Sequence, residues 1–379
     1  MATETRRVLV IGSLAESLVN FRGDLLRALA GAGHEVIAAA PAGPSWVDEA
    51  LAKWRVRRVV LPLRRTGTNP IHDIGFLRAL LQLMRAERPD AVLAYTVKPV
   101  VYGLLAARIA GVPRRVALIT GLGFSFLEAR SAAQSALQRA VRWLYRRAVR
   151  SADVVLFQNP DDEAVFRSYR LLRPGQDVRL VAGSGVNLER YAARSLLAGP
   201  RRFLMIARLL VDKGVREYLD AAARLHAARP HVSCELIGPA EDHPAAIPVR
   251  QIEQAVQSGA IVYYGAVRDV RPYLSAAHVY VLPSYWEGTP RTVLEAMAIG
   301  RPIITTDAPG CRETVVPGRN GVLVPVADSD ALFREMLRFA DLGDAELERM
   351  GAASRAIAEA KFDVHKVNAA IMAALALDA

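Results

Sequence analysis

The 379-residue chain predicts an α/β protein built from two doubly wound, Rossmann-like domains with parallel sheets, and three observations carry that reading. Short runs rich in Val, Ile and Leu alternate with longer helical patterns along the whole chain. Near-continuous apolar strands separated by helices belong to parallel sheets covered on both faces. The chain is also longer than one hydrophobic core usually serves, and the alternation occurs in two sets.

In the first set the predicted strands are 8–11, 35–39, 58–61, 91–94, 115–119, 154–157 and 178–181. The second set is 203–206, 234–237, 261–263, 279–282, 303–305 and 322–324. The two sets part at Gly183-Ser184-Gly185-Val186-Asn187, with Gly199-Pro200 a second break before the next strand. The expected domains are therefore 1–182 and 201–360, with a linker at 183–200 and a closing segment at 361–379. Ligands of open parallel sheets bind beyond the carboxyl ends of strands, so two facing sheets are expected to hold a substrate pair in a cleft between them.

The net charge of +11 is unevenly spread: residues 1–190 hold 28 Lys and Arg against 16 Asp and Glu, residues 191–379 hold 21 against 22. Much of the excess sits in Arg139, Arg142, Arg146, Arg147 and Arg150, interleaved with Val141, Trp143, Leu144, Tyr145 and Val149. On a helix, positions 141, 144, 145 and 148 share an apolar face with Trp143 toward its edge. Two readings stand: a surface helix with an Arg-rich solvent side, or docking of Arg139, Arg142, Trp143, Arg146, Arg147 and Arg150 on anionic lipid headgroups. Residues 8–11 are too short for a signal-peptide core, and Lys98, Pro99 and Arg108 interrupt the longest apolar region. Cys234 and Cys311 are too few for a disulfide framework and lack metal spacing, which fits a reducing cytoplasm.

The chemistry concentrates in Glu287-Gly288-Thr289-Pro290-Arg291-Thr292-Val293-Leu294-Glu295, two carboxylates eight positions apart around a helix start. Pro290 suits a first helical position. A helix N-terminus attracts phosphate, and a carboxylate accepts hydrogen bonds from paired sugar hydroxyls, so a nucleotide sugar is the ligand with both chemistries. Arg208 and Lys213 share the loop after the strand ending at Ile206, where a fork-shaped donor and a point charge suit a diphosphate. Asp328-Ser329-Asp330 has the spacing of a metal-binding D-x-D but precedes a helical pattern, as Asp161-Asp162-Glu163 follows Asn159-Pro160; both are expected to be helix starts. No catalytic metal or cofactor is expected.

The segments A-R-L-L-V-D-K-G, Y-Y-G-A-V-R-D-V, L-P-S-Y-W-E-G-T-P-R-T-V-L-E-A-M-A-I-G and G-R-N-G-V-L-V-P resemble retaining glycosyltransferases of family 4, whose fold is the two-domain GT-B type. The Glu287 and Glu295 spacing matches that family's E-x7-E signature. Within the family, T-V-K-P-V-V-Y-G and I-T-G-L-G-F look most like bacterial enzymes extending lipid-diphosphate-linked, capsular or O-antigen glycans. The resemblance implies a nucleotide-sugar donor, commonly uridine diphosphate-linked, with Arg208 and Lys213 on its diphosphate. It gives Glu295 to the ribose hydroxyls and Glu287 to the transferred sugar. Gly288, Thr289, Pro290 and Arg291 meet sugar and phosphates, while Tyr264, Gly265, Ala266 and Val267 hold the base largely through backbone groups. Gly12 and Ser13 approach the donor from the first domain, although the usual paired glycines are missing.

The position where many relatives carry a histidine is Thr120, before Gly121, so His34, His72 and His278 are read as structural or surface residues. Asn20, Phe21 and Arg22 are expected to open the first helix. Asn20, Lys98, Tyr102, Thr120, Gly121 and Phe124 are the acceptor-side candidates, Lys98 either meeting an acceptor diphosphate or lying solvated in its loop. By resemblance, the closing helix from Lys361 crosses back onto the first domain. The expected setting is the cytoplasmic face of the inner membrane, held peripherally. The competing readings are a sugar-nucleotide 2-epimerase of the same fold, which would lack the E-x7-E arrangement, and a nucleic-acid or other polyanion binder, for which no recognisable module is present.

Overall fold

Thirteen strands alternate with helices in the computed structural model, which describes residues 4–64, 70–122, 126 and 132–377. The first sheet contains β1 (Arg7–Ile11), β2 (Glu35–Ala40), β3 (Arg57–Val60), β4 (Ala91–Tyr95), β5 (Arg114–Ile119), β6 (Val154–Phe157) and β7 (Asp177–Leu180). Its order is β3-β2-β1-β4-β5-β6-β7, every pair parallel. The second contains β8 (Arg202–Ile206), β9 (Ser233–Ile237), β10 (Val262–Tyr263), β11 (Val279–Leu282), β12 (Ile303–Thr306) and β13 (Gly321–Val324), in the parallel order β10-β9-β8-β11-β12-β13. The chain reverses its direction of travel across each sheet between β1 and β4, and again between β8 and β11. Those switch points are where open sheets leave a crevice for ligands.

Around the first sheet run α1 (Ala15–Asn20), α2 (Gly23–Gly31), α3 (Ser45–Lys53), α4 (Pro70–Glu87), α5 (Leu104–Ala110), α6 (Ala132–Val149) and α7 (Pro160–Ser168). Around the second are α8 (Val215–Ala228), α9 (Val249–Gln257), α10 (Arg271–Ala276), α11 (Arg291–Ile299), α12 (Ser329–Ala340) and α13 (Asp344–Ile357); α14 (Val364–Ala374) closes the chain. Central strands such as β4 and β11 are buried throughout because helices cover both sides. One face of the first sheet packs Leu18, Leu26, Val47 and Leu51 together with Ile371 and Leu375 from the C-terminal segment. The opposite face carries two clusters, one around Leu80 and Phe76, the other around Tyr145 and Phe166.

The chain divides into two compact units, one of residues 1–184 with 365–379, the other of residues 185–364. Residues 185–200, expected as a linker, therefore belong to the second unit. Arg194 N donates to Ile299 O, His278 Nε2 bonds Leu197 O, and the buried Arg301 donates to the carbonyls of Arg194 and Ser195. The closing helix starts at Val364, not Lys361, because Asp363 takes an extended ψ of 125° and bridges to Val186. Asn20, Phe21 and Arg22 do not open a helix either. Phe21 N and Arg22 N both donate to Ser17 O, which ends α1, and Arg22 becomes the residue before α2.

Candidate active site

The sequence features of the second unit meet at the β8/β11 switch point. After β8 the chain runs through Arg208, makes a short 3-10 turn at Val211–Lys213 and enters α8 through Gly214. Gly214 has φ 71°, and a Cβ there would lie 2.0 Å from Pro283 O, so only glycine lets this loop lie against the end of β11. Tyr285 N donates to Asp212 O at 2.9 Å, joining the two loops.

Lys213 Nζ then donates to Glu287 Oε1 at 2.6 Å, with Ser284 Oγ on the same oxygen at 3.0 Å. The side chains of Lys213 and Glu287 are 13% and 20% exposed. The pairing joins two residues that the sequence reading sent to different parts of a ligand. Arg208 lies at the rim instead, 43% exposed and 3.9 Å from Glu241 Oε1, a carboxylate the sequence did not single out.

Pro290 sits one position before the helix, in extended backbone with ψ 108°, so α11 begins at Arg291; the fixed φ of proline suits that place equally. Val293 N and Leu294 N donate to Pro290 O, so α11 and the positive end of its dipole start between the two glutamates. Glu295, in the second turn, is buried. Its Oε1 accepts from Arg291 Nε at 2.9 Å and from Tyr191 Oη at 2.8 Å. Tyr264 N donates to Leu236 O and Gly238 N to Gly265 O, which ties the loop of Tyr264, Gly265, Ala266 and Val267 to the end of β9. The Tyr264 ring lies 4.7 Å from that of Tyr273.

In the first unit, Gly12 follows β1, its N–H on Ala39 O, and a Cβ at Gly12 would lie 2.3 Å from Tyr95 Oη. Ser13 follows it. Thr120 and Gly121 follow β5, Gly121 at φ 137°. Asn20 is exposed at the end of α1. Phe124 lies outside the described residues. Lys98 is not a solvated loop lysine: 17% exposed, it donates to Asp73 Oδ1 at 2.7 Å and to Arg64 O at 3.1 Å. Tyr102 Oη donates to the other Asp73 oxygen at 3.0 Å, and burial together with that acid raises its phenol. Thr96, two positions before Lys98, has φ 68°, a strained value for a β-branched residue.

The two candidate acid clusters lie at helix starts. Asp328 accepts from Ala331 N at 2.8 Å and Asn159 from Asp162 N at 2.8 Å. Asp330 pairs with Arg224. Burial pushes the Cys234 and Cys311 thiols up to about 12, which removes them as nucleophiles near neutral pH. On α6, Tyr145 and Ala148 are buried while Arg139, Arg146, Arg147 and Trp143 face out, Trp143 57% exposed. The Arg142 guanidinium lies over the Tyr169 ring, and Arg150 donates to Arg170 O, so these two arginines are partly engaged within the fold.

Profiles of known families match both units. Residues 20–182 match a glycosyl transferase 4-like domain and residues 200–341 match glycosyl transferases group 1. The chain belongs to the family 4-like, group 1 glycosyltransferases. It is 26% identical over 332 residues to N,N'-diacetylbacillosaminyl-diphospho-undecaprenol alpha-1,3-N-acetylgalactosaminyltransferase of Campylobacter jejuni, covering 83% of this chain and 84% of that one. It is 25% identical over 300 residues to the Escherichia coli UDP-Gal:alpha-D-GlcNAc-diphosphoundecaprenol alpha-1,3-galactosyltransferase, covering 76% and 75%. Among solved structures, Anabaena HepE in complex with UDP and glucose matches with TM-score 0.79 at 18% identity, over 98% of this chain and 99% of that one. Sucrose-phosphate synthase of Thermosynechococcus elongatus matches with TM-score 0.78 at 22% identity, over 97% of both chains. The fold of this glycosyltransferase is GT-B.

Proposed function

We propose that this glycosyltransferase retains configuration as it moves a sugar from a nucleotide diphosphate donor, a UDP-linked hexose or N-acetylhexosamine, to a lipid-diphosphate-linked or related glycan acceptor. The product would enter bacterial surface polysaccharide or glycoprotein glycans. The observation that carries the reading is the Lys213–Glu287 pair beside the N-terminus of α11. It sets a cation for a diphosphate next to a carboxylate for sugar hydroxyls. The names of the Campylobacter and Escherichia coli relatives, both of which specify diphospho-undecaprenol acceptors, support the acceptor class. The matched family profiles are glycosyltransferases, which favours transfer over epimerisation or polyanion binding.

In this mechanism the acceptor hydroxyl attacks the anomeric carbon from the face the diphosphate leaves, and a departing phosphate oxygen takes the hydroxyl's proton. The C–O bond to the diphosphate breaks as the glycosidic bond forms. The protein holds both partners and stabilises charge growing on the diphosphate, the task of Lys213, Arg208 and the α11 N-terminus. On the acceptor side, Asp73 already binds the Lys98 ammonium, so an acceptor diphosphate would share that cation with Asp73. The test is a mass-spectrometric screen of nucleotide sugars against lipid-diphosphate-linked acceptors, with and without a chelator. Transfer at an unchanged rate in the chelator is expected; loss of transfer there would overturn the metal-independent mechanism.

Peripheral attachment to the cytoplasmic face of the inner membrane is part of the same proposal, carried by exposed Arg139, Trp143, Arg146 and Arg147 on a helix without an acidic residue. Among the described residues no helix is long and apolar enough to cross a membrane. Flotation with anionic liposomes should fall sharply in an R139E/R146E/R147E variant and with rising salt. Equal flotation of both proteins would dismiss this face.

A further inference from the structure

We infer that Tyr191 is a positioning residue for Glu295, fixing which oxygen of that carboxylate meets the ribose of the donor; the inference rests on the ribose role proposed for Glu295. Tyr191 lies in the stretch expected as a linker, and nothing in its local sequence marks it. Its hydroxyl is buried and donates to Glu295 Oε1, the oxygen that also accepts from Arg291 Nε. Two donors on one oxygen set the plane of the carboxylate and leave the lone pairs of Oε2 for a sugar hydroxyl.

The anchoring of Tyr191 suits that task. Arg355 Nη1 donates to Tyr191 O at 3.0 Å, to Leu188 O at 3.3 Å and to Ala298 O at 2.8 Å, so one guanidinium fastens the Tyr191 backbone to the helix that carries Glu295. Tyr191 N donates to Asn187 O, and the Arg190 guanidinium stands 5.8 Å from the ring. Burial, with the Glu295 charge second, raises the phenol, so the hydroxyl remains a donor across the working range of pH. A tyrosine serving only to fill the core would not need its hydroxyl on a carboxylate at the head of the site.

The test uses Tyr191→Phe, which keeps the ring, and calorimetric titration of the full chain. The probes are whichever of uridine, guanosine, adenosine and cytidine diphosphate the wild type binds most tightly, and its 2',3'-dideoxy counterpart. Tyr191→Phe should weaken the ribonucleotide roughly five- to tenfold, within the net range of one intramolecular hydrogen bond, and the dideoxy compound less than twofold. Donor KM should rise by the same factor with kcat nearly unchanged. Equal losses for both nucleotides would make Tyr191 merely structural and overturn the inference, as would no loss for either. Glu295→Ala is the control. If it shows no ribose-selective loss, the ribose assignment itself falls; if it alone shows that loss, only the role of Tyr191 falls.

Discussion

Replacing Lys213 by alanine should lower kcat for sugar transfer by roughly 10² to 10³, the size of effect seen when one preorganised donor to a developing anion is removed. The ammonium is held by a group of the protein itself, Glu287 Oε1 at 2.6 Å. Glu287 and Ser284 hold its surroundings, and little of it is exposed, so its charge acts in a medium less screened than water. A diphosphate becomes more negative as the sugar departs, so loss of this cation should cost more in kcat than in donor affinity. Arg208 provides the contrast within the same loop. At 43% exposure its interactions are screened, and Arg208→Ala should cost about tenfold. Steady-state kinetics with a fixed donor and acceptor read both variants. Near-normal turnover in Lys213→Ala would remove it from the reaction. Because the substitution also leaves Glu287 part-buried without its cation, thermal melting must accompany the kinetics, and Lys213→Arg, which keeps the charge, should recover part of the rate.

How far the site could be read in advance follows from how its parts are spaced along the chain. All thirteen strand expectations fall within one residue of the observed ends; the central strands, covered on both faces, are apolar throughout and leave a continuous mark, and the shorter edge strands β3, β7 and β10 follow from the alternation with helices. The Glu287–Glu295 segment is contiguous, a turn and a helical turn, and its chemistry is visible in one window. The contacts that orient it are not. Lys213 and Glu287 are 74 positions apart, Tyr191 and Glu295 are 104, and Lys98 and Asp73 are 25. No periodicity encodes which acid a distant lysine will meet; the sheet order does, by bringing the ends of β8 and β11 side by side. The linker expectation failed for the same reason. Gly and Ser marked a break in the chain, but the carbonyls of residues 188–197 bind Arg355, Arg301 and His278, partners far off in sequence.

Gly310→Ala tests whether that preorganisation matters, from a residue that need not touch a ligand. Gly310 follows β12 at φ 76°, where an L side chain costs about 1 to 2 kcal/mol. A Cβ there would lie 2.2 Å from Glu287 O and 2.5 Å from Gly288 O, both backbone atoms that cannot rotate away. Glu287 N is meanwhile held on Pro309 O at 2.9 Å, so the two strands of loop can separate only by moving the first glutamate of the signature. Moving Glu287 moves the oxygen that holds Lys213. A displacement near 1 Å at a positioned group is enough to cost about 10² in rate. Gly310→Ala should therefore lose about a hundredfold in kcat, along with a measurable fall in melting temperature. Binding of a nucleoside diphosphate should weaken less than kcat, since the residues proposed to hold its nucleoside, Glu295 and the base loop, are not the ones displaced. A variant that melts lower but turns over normally would show that the Glu287 position tolerates the shift, and that catalysis does not depend on the pair as the structure holds it.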